Sequence, residues 1–180
     1  MFARTERLLL RPGWREDAPA LFRAVADEAI ARNLSRLPWP YRLEDAVSWM
    51  AQPQDPAWPS CLIFLRTAAA PELVGGIGIH RGEECGAELG YWIARSRWGQ
   101  GIATEAGRAM VAAARDTLRL PRLAAGHFID NPASGRVLEK IGFRPVGRVV
   151  PRHSLARGCD VPARLMELDL AESDTVAMAA

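Results

Sequence analysis

Apolar positions follow two rhythms along this chain: strand-length runs outnumber helical stretches before residue 101, and helical spacing alternates with further strands after it. SCLIFLR (60–66) and ELVGGIGIH (72–80) predict two strands separated by a small loop of alanines and Pro71. AELGYWIA (87–94) alternates, with Ala87, Leu89, Tyr91 and Ile93 on one face and Glu88, Gly90, Trp92 and Ala94 on the other. A carboxylate therefore stands in the middle of a predicted strand.

Upstream, RLLLRP (7–12) reads as an opening strand closed by Pro12 and Gly13. Asp17 is placed to cap a helix carrying Leu21, Phe22, Val25 and Ala29, with Pro19 in the first turn, where a missing N–H costs little. Pro38 and Pro40 force LPWPY (37–41) into a loop, and a short helix is predicted over 43–51. Pro53, Pro56 and Pro59 then keep the chain extended.

Downstream, Ile102, Ala106, Met110 and Ala113 predict a helix after the RSRWGQG loop, and RLAAGHF (122–128) a strand. NPASGRVLEKIGF (131–143) carries both helix punctuation marks: Asn131 as cap with Pro132 at the first position, and Gly142 as a left-handed terminus. RPVGRVV (144–150) and ARLMELDL (163–170) predict a last antiparallel pair around a polar loop, followed by an unanchored, flexible tail over 171–180. The succession describes one α/β domain over 1–170, a mixed sheet flanked by helices.

Composition narrows the partners. The 180 residues are 49% apolar and 24% charged, and a domain of this size buries roughly 70% of its unfolded surface, so no disulfide or structural metal is required. A net charge of +2 is too balanced for a chain that coats nucleic acid. Of 23 basic residues only Lys140 is a lysine, a uniform bias read as genome composition rather than as a site. Cys61, Cys85 and Cys159 fall in no paired or metal-binding spacing, which points to a reducing compartment. Arg4, Glu6, Arg7 and Arg11 interrupt the first apolar run, so neither a signal peptide nor a membrane span is expected and the cytoplasm is the expected location.

Two segments carry candidate chemistry. In WGQGIATEA (98–106) Gly99 and Gly101 lead from a strand into a helix, leaving backbone N–H groups uncovered where the helix dipole adds positive character. That is a pyrophosphate cradle in principle, although no Gly-Lys pair of a Walker loop follows and Thr104 stands where a dinucleotide fingerprint needs glycine or alanine. On its own the segment reads first as an ordinary glycine-containing strand-to-helix turn. One strand later, Asn131 and Ser134 are explained by helix capping alone.

Together, the glycine turn on a helix, the next strand, Asn-x-x-Ser and LEKIGF resemble the acyl-CoA-binding half of the Gcn5-related N-acetyltransferases (GNAT), nearest the branch that acetylates ribosomal-protein N-termini. RTERLLLRP resembles that branch's opening strand, LVGGIGIH its third strand, and ELGYWIARSRWGQGIATEA its central strand, loop and helix, so residues 4–170 follow the family order. One departure is visible: Trp98 stands where the family turn often has Gln or Arg.

The resemblance implies a mostly antiparallel sheet whose fourth and fifth strands, here 87–94 and 122–128, splay around the pantetheine arm of acetyl-CoA. It assigns the pyrophosphate to the turn that Trp98 opens, on the amides of Gly99, Gln100, Gly101, Ile102, Ala103 and Thr104, with Trp98 itself among the cofactor-binding residues. Pantetheine falls to Ile93, Ala94 and Asn131, with an amide near Ala94 polarising the thioester carbonyl. Arg95 and Arg97 are candidates for neutralising phosphates, with solvated loop arginines as the alternative. Most amines are protonated at pH 7, so the acceptor needs a base, and Glu88 among apolar neighbours is the candidate, with a raised pKa expected. A solvent-facing or arginine-paired glutamate is the alternative. Ser134 is the candidate acid for the departing thiolate, and Trp39 and Tyr41 are candidate walls of the amine pocket. His80, His127 and His153 lack metal-ligand spacing and read as core or surface histidines, and Cys61 as a buried strand residue. The expected partners are acetyl-CoA and an amine acceptor, a peptide N-terminus or a small molecule, with no metal, nucleic acid or membrane and with a homodimer as the family's common assembly. An acyl-CoA-binding module without turnover is the alternative on the same fold.

Overall fold

In a computed structural model that describes residues 1–82 and 86–171, eight strands form one open sheet in the order β1-β2-β3-β4-β5-β6-β8-β7. The strands are β1 (Ala3–Arg4), β2 (Leu8–Arg11), β3 (Ser60–Leu65), β4 (Glu72–Gly82), β5 (Gly86–Ile93), β6 (Arg122–Phe128), β7 (Arg144–Ser154) and β8 (Cys159–Asp169). The helices are α1 (Ala18–Val25), α2 (Glu28–Ala31), α3 (Leu43–Met50), α4 (Ile102–Asp116) and α5 (Pro132–Lys140). Every neighbouring pair is antiparallel except β5 and β6. The tail expected to be flexible lies outside the described residues from 172 onward, as does Cys85. Among the described residues no helix is long and apolar enough to cross a membrane.

Alternation along β5 sorts the core into two layers. Ala87, Leu89 and Ile93 join the larger cluster, beneath α4 and α5, with Leu8, Ile63, Ile79 and Met110. Trp92 faces the smaller cluster built by α1 and α3 with Leu62 and Phe64. Burial in α4 runs through Ile102, Ala106, Met110 and Ala114; Ala113, expected on this stripe, is half-buried because the stripe drifts round the helix at 3.6 residues per turn. Gly107 lets α4 meet the end of α5, since a Cβ there would stand 2.8 Å from Ile141 Cδ1.

Three further local readings change. The first helix stops at Val25, and Asp27 starts α2 by accepting the Ala29 amide at 2.8 Å. Asp17 precedes α1, but its carboxylate accepts from the Trp14 amide and pairs with Arg11 rather than capping that helix. The polar loop expected over 151–162 shrinks to a turn over 155–158, with Pro151 opposite Pro162 inside the β7–β8 ladder. β7 is an edge strand, so a residue without an N–H is tolerated there.

Candidate active site

The parallel contact between β5 and β6 consists of a single pair, Glu88 opposite Ala124, and beyond it the strands diverge. The ladder to β4 uses alternate peptide groups of β5, as shown by Ala94, whose amide donates to Val74 O at 2.8 Å. The intervening residues Leu89, Tyr91 and Ile93 therefore turn their peptide groups toward the gap. Two expectations shift as a result. The Ala94 amide is directed at β4, and the Ile93 carbonyl accepts from Trp98 Nε1 at 2.8 Å, so the donors offered to the gap are the amides of Tyr91 and Ile93.

On the α5 side of the gap, Tyr91 Oη lies 2.7 Å from Ser134 Oγ and donates to the Ser134 carbonyl at 3.2 Å. Asn131 Oδ1 accepts from the Ser134 amide at 3.2 Å, the capping bond that fixes this first turn. The turn can sit so low because position 135 is glycine: a Cβ there would lie 2.8 Å from His127 Nε2. Burial pushes the Tyr91 hydroxyl up to about 12, only partly offset by its bond to Ser134, so it stays protonated at neutral pH.

Glu88 stands on the opposite face. It is 8% exposed, and both carboxylate oxygens meet the Arg152 guanidinium, one contact being 3.3 Å. Arg152 reaches it across β6 over Gly126, where a Cβ would lie 3.2 Å from Arg152 Nη1. The arginine-paired alternative therefore describes this glutamate, in place of a carboxylate among apolar groups only. Glu88 and Arg152 also border a shallow, open cleft walled by Val150 and Leu165. Glu88 and Ser134 do not meet; the gap between β5 and β6 lies between them.

His80, the cross-strand neighbour of Glu88, shares that face. Burial lowers its pKa; Glu88 opposes the shift, while Arg36 and Arg152 reinforce it. Nothing in the local sequence distinguished His80 or Arg152, because both acquire their setting from strands distant in the chain.

At the other end of the gap, Gly99 and Gly101 both have φ of +75°, and a Cβ on Gly99 would meet no atom within 4 Å. Gly101 caps α4, so the first-turn amides of Ile102, Ala103 and Thr104 have no intrahelical acceptor. Gln100 O accepts from Arg7 Nη1 at 3.0 Å, which ties the turn to the segment before β2. These features fit a diphosphate: an open surface, uncovered amides and a helix of 15 residues behind them. Arg97 is paired with Glu72 and Arg95 lies 4.0 Å from Asp27, so both loop arginines have carboxylate partners. Trp39 is 39% exposed, whereas Tyr41 is in the smaller core cluster, its hydroxyl pushed up to about 12 by burial and by Asp45.

A family model described as the acetyltransferase (GNAT) domain matches residues 7–144. The chain belongs to this family of acetyl-CoA-dependent N-acetyltransferases. An uncharacterized N-acetyltransferase of Bacillus subtilis, YoaA, is 30% identical over 152 residues, 79% of this chain and 82% of that protein. The ribosomal-protein-serine acetyltransferase of Escherichia coli is 36% identical over 74 residues, 40% of this chain and 41% of that protein. The spermidine N-acetyltransferase of Vibrio cholerae, solved with CoA and spermine, shares the fold at a TM-score of 0.75 and 18% identity, covering 93% of this chain and 98% of its own. The GNAT assignment accounts for a sheet that opens beside a glycine turn.

Proposed function

We propose that this protein transfers the acetyl group of acetyl-CoA to a primary amine, a protein N-terminus or a small molecule, by direct attack in a ternary complex. One observation carries the reading: the gap past the Glu88–Ala124 pair has hydroxyls on one side and a buried carboxylate on the other. The diphosphate would rest on the amides from Gly99 to Thr104, and the pantetheine arm would run along the peptide groups of Leu89, Tyr91 and Ile93 like an added strand.

In the transfer, the amine nitrogen forms a bond to the thioester carbonyl carbon, and the amides of Tyr91 and Ile93 steady the developing oxyanion. The C–S bond then breaks, and the thiolate takes a proton through the Ser134 hydroxyl, which Tyr91 holds in place and which solvent reprotonates. The amine's own proton leaves toward Glu88, directly or through one intermediary. A positioned acid or base of this kind typically contributes 10²- to 10⁴-fold.

The test is thiol release from acetyl-CoA against a panel of N-terminal seryl peptides, spermidine and free amino acids, with the acetylated amine identified by mass. Thiol and product should appear in equal amounts. Binding heat from acetyl-CoA without thiol release on any amine would instead make the chain an acyl-CoA-binding module.

A further inference from the structure

We infer that His80 is the group that takes the proton from the attacking amine, with Glu88 balancing the imidazolium that forms and Arg152 holding Glu88 in place. The inference rests on the transferase reading and names the proton acceptor within it.

Glycines make room for this arrangement. On the face shared by His80 and Glu88, the neighbouring positions on β4 are Gly76, Gly78 and Gly82, and Gly90 lies between Glu88 and Trp92 on β5. Three side chains therefore rise from a floor of bare backbone. Trp92 lies over Gly76, where a Cβ would come within 2.5 Å of its Nε1. The His80 ring leans over Gly90, with Cε1 3.4 Å and Nδ1 3.7 Å from where a Cβ would be. Gly90 lies two residues past the pair at which β5 and β6 part, so the imidazole stands over the start of the gap. His80 is half-buried, which leaves it open to a ligand on one side.

The charges around the ring suit a base. Glu88 from β5 faces it, Arg152 from β7 is paired with Glu88, and the charge of Arg36, on the segment after α2, also acts on it. Burial and the two guanidiniums keep the imidazole neutral at pH 7, so it carries a lone pair when the amine arrives. Glu88 is already engaged by Arg152 and serves as the counter-charge once the ring is protonated. The proton count closes over one turnover. The amine loses one proton to a His80 ring nitrogen as the acetyl C–N bond forms, and the C–S bond breaks to a thiolate that takes a proton from the Ser134 hydroxyl. The imidazolium returns its proton to solvent, from which Ser134 is reprotonated.

The experiment compares pH–rate profiles of wild type, His80→Gln and His80→Asn on whichever of an N-terminal seryl peptide or spermidine is acetylated. At pH 7 either substitution should lower kcat by about 100-fold with an unchanged KM for acetyl-CoA. The deficit should narrow above pH 9, where the amine sheds its own proton. Wild type should show an acid limb with its midpoint below the ordinary histidine value, and that limb should vanish in both variants. Glu88→Gln should move the limb further down. Full kcat with an unaltered profile in His80→Gln overturns the inference while leaving the transferase intact. Should the variants not fold, NMR titration of wild type with CoA bound decides: His80 signals that ignore added amine overturn it. A wild type that releases no thiol with any amine fails at the transferase reading, and the inference falls with it.

Discussion

Tyr91 and Ser134 form a contact between groups 43 residues apart, linking β5 to the first turn of α5. Ser134→Ala should lower kcat by only about tenfold, because a thiol with a pKa near 8.5 leaves with little acid help. Tyr91→Phe keeps the buried ring but removes the bond that orients Ser134, and should cost a few-fold in kcat and about 1 kcal/mol of stability. The double variant should be no slower than Ser134→Ala alone, which steady-state kinetics on all three proteins checks. Glu88→Gln should weaken the grip on Arg152 and destabilise the fold by about 1–3 kcal/mol in urea melts. Its turnover should suffer most at neutral pH, and a profile parallel to wild type would remove Glu88 from proton handling.

At the scale of elements, the turn into α4 joins sequence to site most directly. Gly101 holds φ of +75°, a conformation that costs an L-residue about 1–2 kcal/mol. Gly101→Ala should raise the Kd for acetyl-CoA about tenfold, equivalent to 1.4 kcal/mol, because the turn relaxes and its amides tilt away from the diphosphate. Calorimetry on the folded variant checks this, and an unchanged Kd would take the turn out of cofactor binding. Both glycines were legible in the chain, as were the cap at Asn131 and the alternation of β5, since each depends on neighbours within a few residues. The length of β7 was not legible. Its prolines look like loop residues until the sheet order makes it an edge strand.

Across the whole molecule, Glu105 on α4 fastens the amino-terminal segment to the helix that carries the turn. It accepts from Thr5 Oγ1 at 2.6 Å, from the Arg7 amide at 2.9 Å and from Arg7 Nε at 2.7 Å. Burial alone would raise its pKa, but these bonds and the Arg7 charge outweigh that and hold it below the usual glutamate range. Its stabilising contribution is therefore fully present above the ordinary glutamate pKa and is lost as pH falls through the lowered folded value. Glu105→Gln should lower the neutral plateau of a Tm-against-pH curve and flatten its acid side, so that the variant and wild-type curves converge as pH falls from 6 towards 3. The curve should sink in parallel at all pH values if the link is merely steric.

The order of strands and helices, the glycine turn, the Asn-x-x-Ser cap and the family resemblance were determined by the chain itself, because periodicity, capping and backbone freedom act over a few residues. Which side of the gap each group occupies was decided only by the tertiary structure. Arg152 reaches Glu88 across 64 positions of sequence, and His80 meets it through a strand register that no local pattern encodes. Charges and hydroxyls acquire their chemistry from what is packed against them, and in a sheet those neighbours come from distant strands.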